Sequence, residues 1–191
     1  MKIRLYSMCL LSFMACSGAV QAEPVSRFGA SYYYIEGGSA LVLIAQMDKK
    51  GPVGVDGRNH PARTKWDVQW RFRHNMHGGV CKMEKVSVMI GMTTVRPRWR
   101  EEAQGPASLK KRWAQLIEAV DRNESYHKQQ ALEAGRQIEQ MLNALTPEKT
   151  CDALTETANS AATDILGSHQ SESRDYDLRT DYGRKTGVSL I

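Results

Sequence analysis

The chain has 191 residues, with 26 Lys and Arg against 21 Asp and Glu, so its formal net charge is only +5. That balance gives no reason to expect a nucleic-acid partner. No segment after residue 22 is apolar and long enough to cross a bilayer, so we expect no integral membrane segment.

Residues 1–22 have the organisation of a secretory signal peptide, in which two basic residues precede an apolar run and Ala22 stands at the cleavage position. Cys16 raises the alternative of a lipidated N-terminus, but the residues before it match the lipoprotein pattern poorly. We therefore predict a mature chain of residues 23–191 that forms one domain, located in the periplasm or secreted.

Cleavage would remove Cys9 and Cys16 and leave Cys81 and Cys151. Two cysteines in an oxidising compartment most simply pair with each other, although two free thiols are the alternative. The bridge would close a loop of roughly 70 residues, for which chain-entropy models give a stabilisation on the order of 4 kcal/mol.

The first predicted elements are a strand and a helix within residues 31–45, separated by the break at Gly37 and Gly38, and Gly51 ends the helix. From residue 65 to residue 73, apolar and polar residues alternate strictly, which is typical of a strand with one buried face. Turn residues follow at 75–79, and a second alternating strand comes after them. This pattern predicts a long hairpin, with Cys81 on its return arm.

After Pro106 the apolar pattern becomes helical and extends through residues 113–145. Three polar residues interrupt the apolar stripe in its middle: Asn123, Glu124 and His127. Polar groups on the core-facing side of a helix must be paired or bind something, because burying each one alone costs a few kcal/mol. About 40 residues of helix would exceed a small domain, so we expect a bend or break near Asp121.

The segment Thr146-Pro147-Glu148 is predicted to cap a last helix, whose apolar stripe begins at Cys151. Residues 168–187 are polar and turn-rich and lack periodicity, so we expect an irregular tail. The predicted fold class is α+β. A small antiparallel sheet with a long hairpin would pack against the helix that carries Glu124 and against the C-terminal helix.

Glu124 and His127 have the spacing of the second and fifth residues of H-E-x-x-H. In that motif two histidines one turn apart bind zinc, and the glutamate polarises the bound water. Here the first position is Asn123, a poor zinc ligand. Taken alone, the pair favours a Glu124–His127 hydrogen bond over a metal site.

Two other groups of residues have simpler interpretations. His74 and His77 flank Met76 in the hairpin turn, where exposed ligands of this kind can capture copper or nickel, but a solvated turn is the favoured interpretation. The basic residues 95–100 are expected to form a solvated connection with one packed Trp. His60 and His169 show no usable pattern.

Several stretches, taken in order, resemble one bacterial family. They are Tyr33-Tyr34, Gly38-Ser39, Gly51-Pro52, residues 64–70, Cys81, Pro97, Trp99, Trp113, residues 123–127, Cys151 and residues 176–183. The chain resembles the predicted secreted zinc-dependent proteases, also catalogued as domain of unknown function 922, over roughly residues 31–187. The resemblance implies a zincin-like domain.

In that family the helix reads H-E-x-x-H and the tail reads Y-D-x-x-T-x-H-G, which implies that the tail histidine is the third zinc ligand. By this resemblance Glu124 takes the position of the general base and His127 that of the second ligand. Asn123 and Tyr182 replace the first and third ligands. Two of the three inferred zinc ligands are therefore substituted.

Two interpretations follow from these substitutions. One is a degenerate metallopeptidase that needs no zinc and binds a peptide or cell-envelope protein in the cleft that corresponds to the family's active site. The other is an active zinc metalloprotease with non-standard ligands, including a tyrosinate and an oxygen of Asp177 or Asp181. The first is favoured, because a single imidazole with neutral or oxygen donors should hold zinc weakly.

Overall fold

A computed structural model describes residues 24–191, so the predicted signal peptide with Cys9 and Cys16 lies outside the described residues. The elements in chain order are β1 (Val25–Ile35), α1 (Ala40–Lys50), β2 (Arg63–His77), β3 (Val80–Trp99), α2 (Ala107–Asn143) and α3 (Cys151–Thr180), with short 3-10 turns at Glu102–Gln104 and Arg184–Thr186. No helix in this part of the chain is long and apolar enough to cross a membrane.

The three strands form one sheet in the order β1-β3-β2. The α+β class and the long β2–β3 hairpin are confirmed, and Gly78 and Gly79 both adopt positive φ angles at the hairpin turn. The sheet is mixed rather than antiparallel, because β1 runs parallel to β3. Alternation within a strand does not specify its direction. Here the connection through α1 carries the chain across β3, so β1 and β2 lie on opposite sides of it.

Residues 95–99 of the basic segment are the last part of β3, not the predicted connection, and Arg100 follows in a turn. Trp99 is buried as expected and contacts Trp113 of α2 edge to face, with ring centroids 5.9 Å apart. Arg98 and Arg100 lie over the rings of Tyr32 and Tyr34 on β1, at 5.0 and 4.9 Å from the ring centroids.

Two hydrophobic clusters lie along α2. The first joins α1, the N-terminal half of α2 and the end of the chain, and includes Leu43, Leu116 and Val188. The second joins the inner face of the hairpin to the C-terminal half of α2 and to α3, and includes Ile90 and Ile138. The three polar residues of the α2 stripe lie between these clusters, where the apolar packing is interrupted.

The predicted break near Asp121 is wrong, because α2 is one helix of 37 residues. At 1.5 Å per residue it is about 55 Å long. Each half of α2 packs on its own cluster, so the helix passes over both without a break. Asp121 also forms an ion pair with Arg96 of β3, at 2.5 Å.

The last helix begins later and ends later than predicted. Thr150 caps α3 by accepting a hydrogen bond from the backbone N–H of Ala153 at 3.2 Å, so Thr146-Pro147-Glu148 is not the cap. Glu148 instead exchanges two backbone hydrogen bonds with Cys81. The polar segment predicted to be irregular is helical as far as Thr180. Several of its polar side chains have partners on α2, as in the bond from the Tyr126 hydroxyl to the Glu172 carboxylate.

The predicted Cys81–Cys151 disulfide is present and joins β3 to the first residue of α3 across a sequence separation of 70 residues. Its surroundings include His74, whose Nε2 lies 3.1 Å from the Thr155 hydroxyl. His77 lies instead beside Glu84, at 3.2 Å. The two histidines of the hairpin turn thus contact different partners.

Candidate ligand-binding site

A polar cavity of about 350 Å³ lies where the packing along α2 is interrupted. Its walls come from the loop before β2, from the start of β2, from α2, from α3 and from the turn after α3. Asn123, Glu124, His127 and Tyr182 all line it. The structure therefore brings together the four residues that the sequence singled out, and the hairpin forms one side of the cavity.

The three α2 residues are buried, with exposures of 5% for Asn123, 4% for Glu124 and 6% for His127. They occupy one face of the helix because positions three and four residues apart lie on the same side. The apolar residues of the stripe before and after them hold that face inward. The helical periodicity that turns the apolar residues of α2 toward the core therefore also turns these three polar side chains inward.

His127 is held by α3. Its Nε2 lies 3.0 Å from Oδ1 of Asp177, and the ring meets Tyr176 edge to face at 5.7 Å. Tyr176 in turn stacks on Tyr126 with the ring centroids 3.8 Å apart. The imidazole is thus oriented by the Asp177 carboxylate, and the predicted hydrogen bond between Glu124 and His127 is not formed.

Glu124 is the least solvated carboxyl of the cavity. Burial raises its pKa above the ordinary value, and this outweighs the lowering effect of His127 and of hydrogen bonding from Thr64. Thr64 also shares a 2.9 Å hydrogen bond with Thr94 on the neighbouring strand. Glu124 Oε2 is buried and has no hydrogen-bond partner in the protein.

Tyr182 reaches the cavity through a strained turn at the end of α3. Asp181 and Tyr182 have φ angles of 49° and 52°, a left-handed conformation that is uncommon outside glycine. The Tyr182 N–H donates to the carbonyl of Asp177 at 2.7 Å, and the Asp181 N–H donates to that of Leu178. This pair of bonds is the Schellman arrangement, with Asp181 where glycine is usual.

His60 is the residue of the site that sequence reasoning missed. It comes from the loop between α1 and β2, is 3% exposed, and stacks on Tyr182 with ring centroids 3.8 Å apart. Its Nε2 lies 2.9 Å from Oδ1 of Asp56. Gly54 leaves room for the ring, since a Cβ there would lie 2.6 Å from it. A lone histidine beside a proline gives no sequence signal of this role.

The electrostatics around His60 and Tyr182 favour a neutral phenol. Burial raises the pKa of Tyr182, and the nearby charges of Asp56 and Asp177 raise it further. The pKa of Asp56 is held below its ordinary value, first by its hydrogen bond with His60 and then by Arg58. A tyrosinate ligand, which the second interpretation requires, would therefore depend on the charge of a bound ion to lower this pKa.

Unpartnered polar atoms are concentrated in this cavity. Among the residues described, six buried side-chain nitrogen or oxygen atoms have no hydrogen-bond partner in the protein. One is on Trp99, and the other five belong to cavity residues: His60, Asn123, Glu124, Ser173 and Tyr182. Buried polar groups are normally paired, so five at one place indicate a site that ordered water or a polar ligand completes.

The donor set does not fit the zinc ion that the resemblance implies. His127 is the one histidine of the three inferred ligand positions, and its Nε2 is already directed at Asp177. Within residues 24–191, the only three His, Cys, Asp or Glu ligand atoms within 4.8 Å of one another are those of His74, Cys81 and Cys151. The last two form the disulfide, so they offer no thiolate.

The two aspartates considered as replacement ligands differ in position. Asp177 lines the cavity and contacts His127. Asp181 is instead paired with Arg184 at 2.9 Å, a contact that lowers its pKa, and it is not among the residues that line the cavity. An oxygen ligand from Asp181 would require the turn to rearrange.

The raised pKa of Glu124 predicts a pH-dependent cost to stability. Below pH 4.5, the ordinary pKa of the group, the Glu124 carboxyl is protonated in both the folded and the unfolded chain, so its burial does not reduce the free energy of unfolding. As the pH rises through the folded-state pKa, the unfolded chain binds fewer protons than the folded one, so the wild type loses stability. Glu124→Gln should therefore be more stable than the wild type at pH 8, and the difference should shrink toward pH 4. Urea unfolding at both pH values measures the difference in free energy of unfolding between the two proteins. A difference that does not change with pH would contradict this prediction.

Comparison with known proteins finds one family, described as bacterial protein of unknown function (DUF922), over residues 30–183. No curated protein and no solved structure matches the chain. The matched region covers all the cavity walls described above, from the loop with His60 to the turn with Tyr182. The chain therefore belongs to the DUF922 family of bacterial proteins.

Proposed function

We propose that this protein is an exported, zincin-like member of its family that has lost metal-dependent hydrolysis and binds a peptide segment of a cell-envelope protein in the cavity. The observation that carries the proposal is the set of five buried, unpartnered polar atoms around one cavity. A ligand that supplies both donors and acceptors satisfies them, and a peptide backbone does so at every residue.

The chemistry of the individual atoms supports an amide ligand. Asn123 Nδ2 is a donor, and the Tyr182 hydroxyl donates or accepts. Glu124 Oε2 accepts a backbone N–H when the carboxyl is ionised and donates to a carbonyl when it is protonated. A volume of about 350 Å³ is at the small end of ligand pockets and suits a short peptide segment.

Export is part of the same proposal. Its support is the signal-peptide pattern of residues 1–22 together with the disulfide between Cys81 and Cys151, since such bonds persist in oxidising compartments. We expect the mature protein in the periplasm or outside the cell, where envelope proteins are accessible to it.

The alternative is an active zinc metalloprotease with non-standard ligands. It is favoured by one observation: the general-base position Glu124 and the retained ligand position His127 line the same cavity as Tyr182. Against it is the contact between His127 and Asp177, which engages the one histidine among the three inferred ligand positions. Zinc is therefore a cofactor only in this alternative.

A matched pair of substitutions on α3 tests the proposal. Ser173 is buried in the cavity wall, whereas Ser168 on the same helix is exposed. Ser173→Phe should fill the cavity and remove binding of a pool of synthetic hexapeptides to the immobilised protein, while Ser168→Phe should leave binding unchanged. Mass spectrometry of the retained pool should recover intact peptides, and thermal unfolding should show that both variants fold.

Two results would count against the proposal. Retention of the pool equally by both variants would place the binding elsewhere on the surface. Cleavage of the peptides that stops on treatment with a chelator and returns with zinc would support the active metalloprotease.

A further inference from the structure

The solvent-facing side of the sheet is a second candidate interaction surface, separate from the cavity. Side chains alternate along a strand, so the residues paired in register share a face. Lys65, Arg71 and Arg73 of β2 lie on this face with Lys85 of β3 and Arg27 of β1. We call these five cations and the strands between them the basic face.

The five cations are available to a ligand. All five side chains are exposed, and none forms an ion pair or a side-chain hydrogen bond with another residue in the described part of the chain. Asp67 is the one acidic residue that shares the face within these paired strands. Surface cations of this kind are usually interspersed with acids, so five against one gives the face a local positive potential.

Two shallow depressions lie on the basic face. One, of about 480 Å³, forms where Gly29 and Gly91 leave out side chains, with Arg27 and Lys65 at its rim. The other, of about 250 Å³, is lined by Arg71, Arg73 and Lys85 together with Ser87. The second has the size and charge to seat a phosphate-bearing group, whereas the carboxylate of Asp67 also lines the first and offsets part of its positive charge.

Apolar side chains lie between the two depressions. Val25 of β1 is paired in register with Met89 of β3, and Val25 is exposed. The cations extend from Lys65 to Arg73 on β2, a span of eight residues or about 27 Å along the strand. A face about 27 Å long with cations at both ends and apolar groups in the middle matches an extended surface better than it matches a small molecule.

We propose that the basic face docks the protein onto an anionic phospholipid bilayer. The charge of the headgroups complements the five unpaired cations, and the exposed Val25 faces the same surface. Single-stranded nucleic acid is the weaker choice, because binders of that class stack bases on aromatic rings and none of the residues paired in register on the basic face is aromatic. Phe28, Trp66 and Phe72 border the two depressions, but they alternate toward the opposite face of the sheet. Docking of this kind goes beyond the cavity and does not depend on what the cavity binds.

Vesicle sedimentation of the mature chain tests the proposal. Wild type should bind vesicles that contain phosphatidylglycerol and should not bind vesicles of phosphatidylcholine alone, and added salt should release it. Arg71→Gln with Lys85→Gln should weaken this binding about 30-fold, given the contribution of each cation near an anionic surface. Lys111→Gln with Arg112→Gln, on the exposed side of α2, makes the same charge change and should leave binding within about twofold.

A second variant reverses the charge of the same two residues and so should have a larger effect on vesicle binding. Arg71→Glu with Lys85→Glu should reduce binding to the level seen with phosphatidylcholine. Equal loss in the α2 pair, or no preference of the wild type for phosphatidylglycerol, would overturn the proposal. Binding to a short oligonucleotide but not to either kind of vesicle would overturn it as well and would identify the face as a nucleic-acid site.

Discussion

Asn123→His combined with Tyr182→His should turn the cavity into a zinc site. The two changes place imidazoles beside His127 and Glu124, at positions that already line one cavity. Three nitrogen ligands next to a glutamate are the set found in catalytic zinc sites, so zinc affinity should rise by orders of magnitude. The wild type should show little zinc response.

The increase in thermal stability expected on zinc binding can be calculated. Zinc at about 100 times its Kd should stabilise the double variant by roughly 2.7 kcal/mol. For a chain of this length that corresponds to an increase in Tm of about 5–10 °C. A third change, His127→Ala, should remove the response. Equal and tight zinc binding by the wild type and the double variant would contradict the degenerate site and support the active metalloprotease.

A failure of the double variant to bind zinc would also be informative, because the surroundings of His127 differ from a metal site. Its Nε2 faces Asp177, and that carboxylate would have to turn toward the other nitrogen or leave. Addition of Asp177→Asn to the double variant should then restore part of the zinc binding.

Loss of the disulfide should have the largest effect on stability. Cys81→Ser with Cys151→Ser should lower the free energy of unfolding by about 4 kcal/mol, because the bridge closes a long loop that otherwise raises the entropy of the unfolded chain. Urea unfolding of the oxidised wild type and of the double variant measures the difference. Chemical reduction of the disulfide in the wild type should lower the free energy of unfolding by the same amount.

The control for this stability measurement is to confirm that the two cysteines are paired in the native protein. Peptide mapping without reductant should recover Cys81 and Cys151 as one linked peptide pair. Two free thiols in the native protein, or an unfolding free energy that is the same with and without the cysteines, would contradict the prediction.

The polar part of the site was predictable because it follows from helix geometry. The spacing of Asn123, Glu124 and His127 on an apolar stripe was enough to expect them on the core-facing side of α2, and they are buried there. The place of Tyr182 beside them came from the family resemblance alone. Its approach depends on consecutive left-handed residues, Asp181 and Tyr182, in a turn that no local pattern specifies.

His60 and the end of α3 show what a single sequence leaves out. His60 enters the cavity because a loop folds under Tyr182, a tertiary contact with no periodic signal. The segment from 168 to 180 is helical although its residues are polar, and several of them have partners on α2, as His169 has Gln130 at 2.7 Å. The parallel pairing of β1 with β3 likewise depends on the path of the chain rather than on the residues of β1.

The most direct measurement is the zinc content of the purified mature protein, by elemental analysis after dialysis without chelator. A cavity whose single inferred histidine ligand is engaged with Asp177 should hold far less than one zinc ion per chain. His127→Ala should then leave the small amount of zinc unchanged. One zinc ion per chain in the wild type, lost in His127→Ala, would contradict the account.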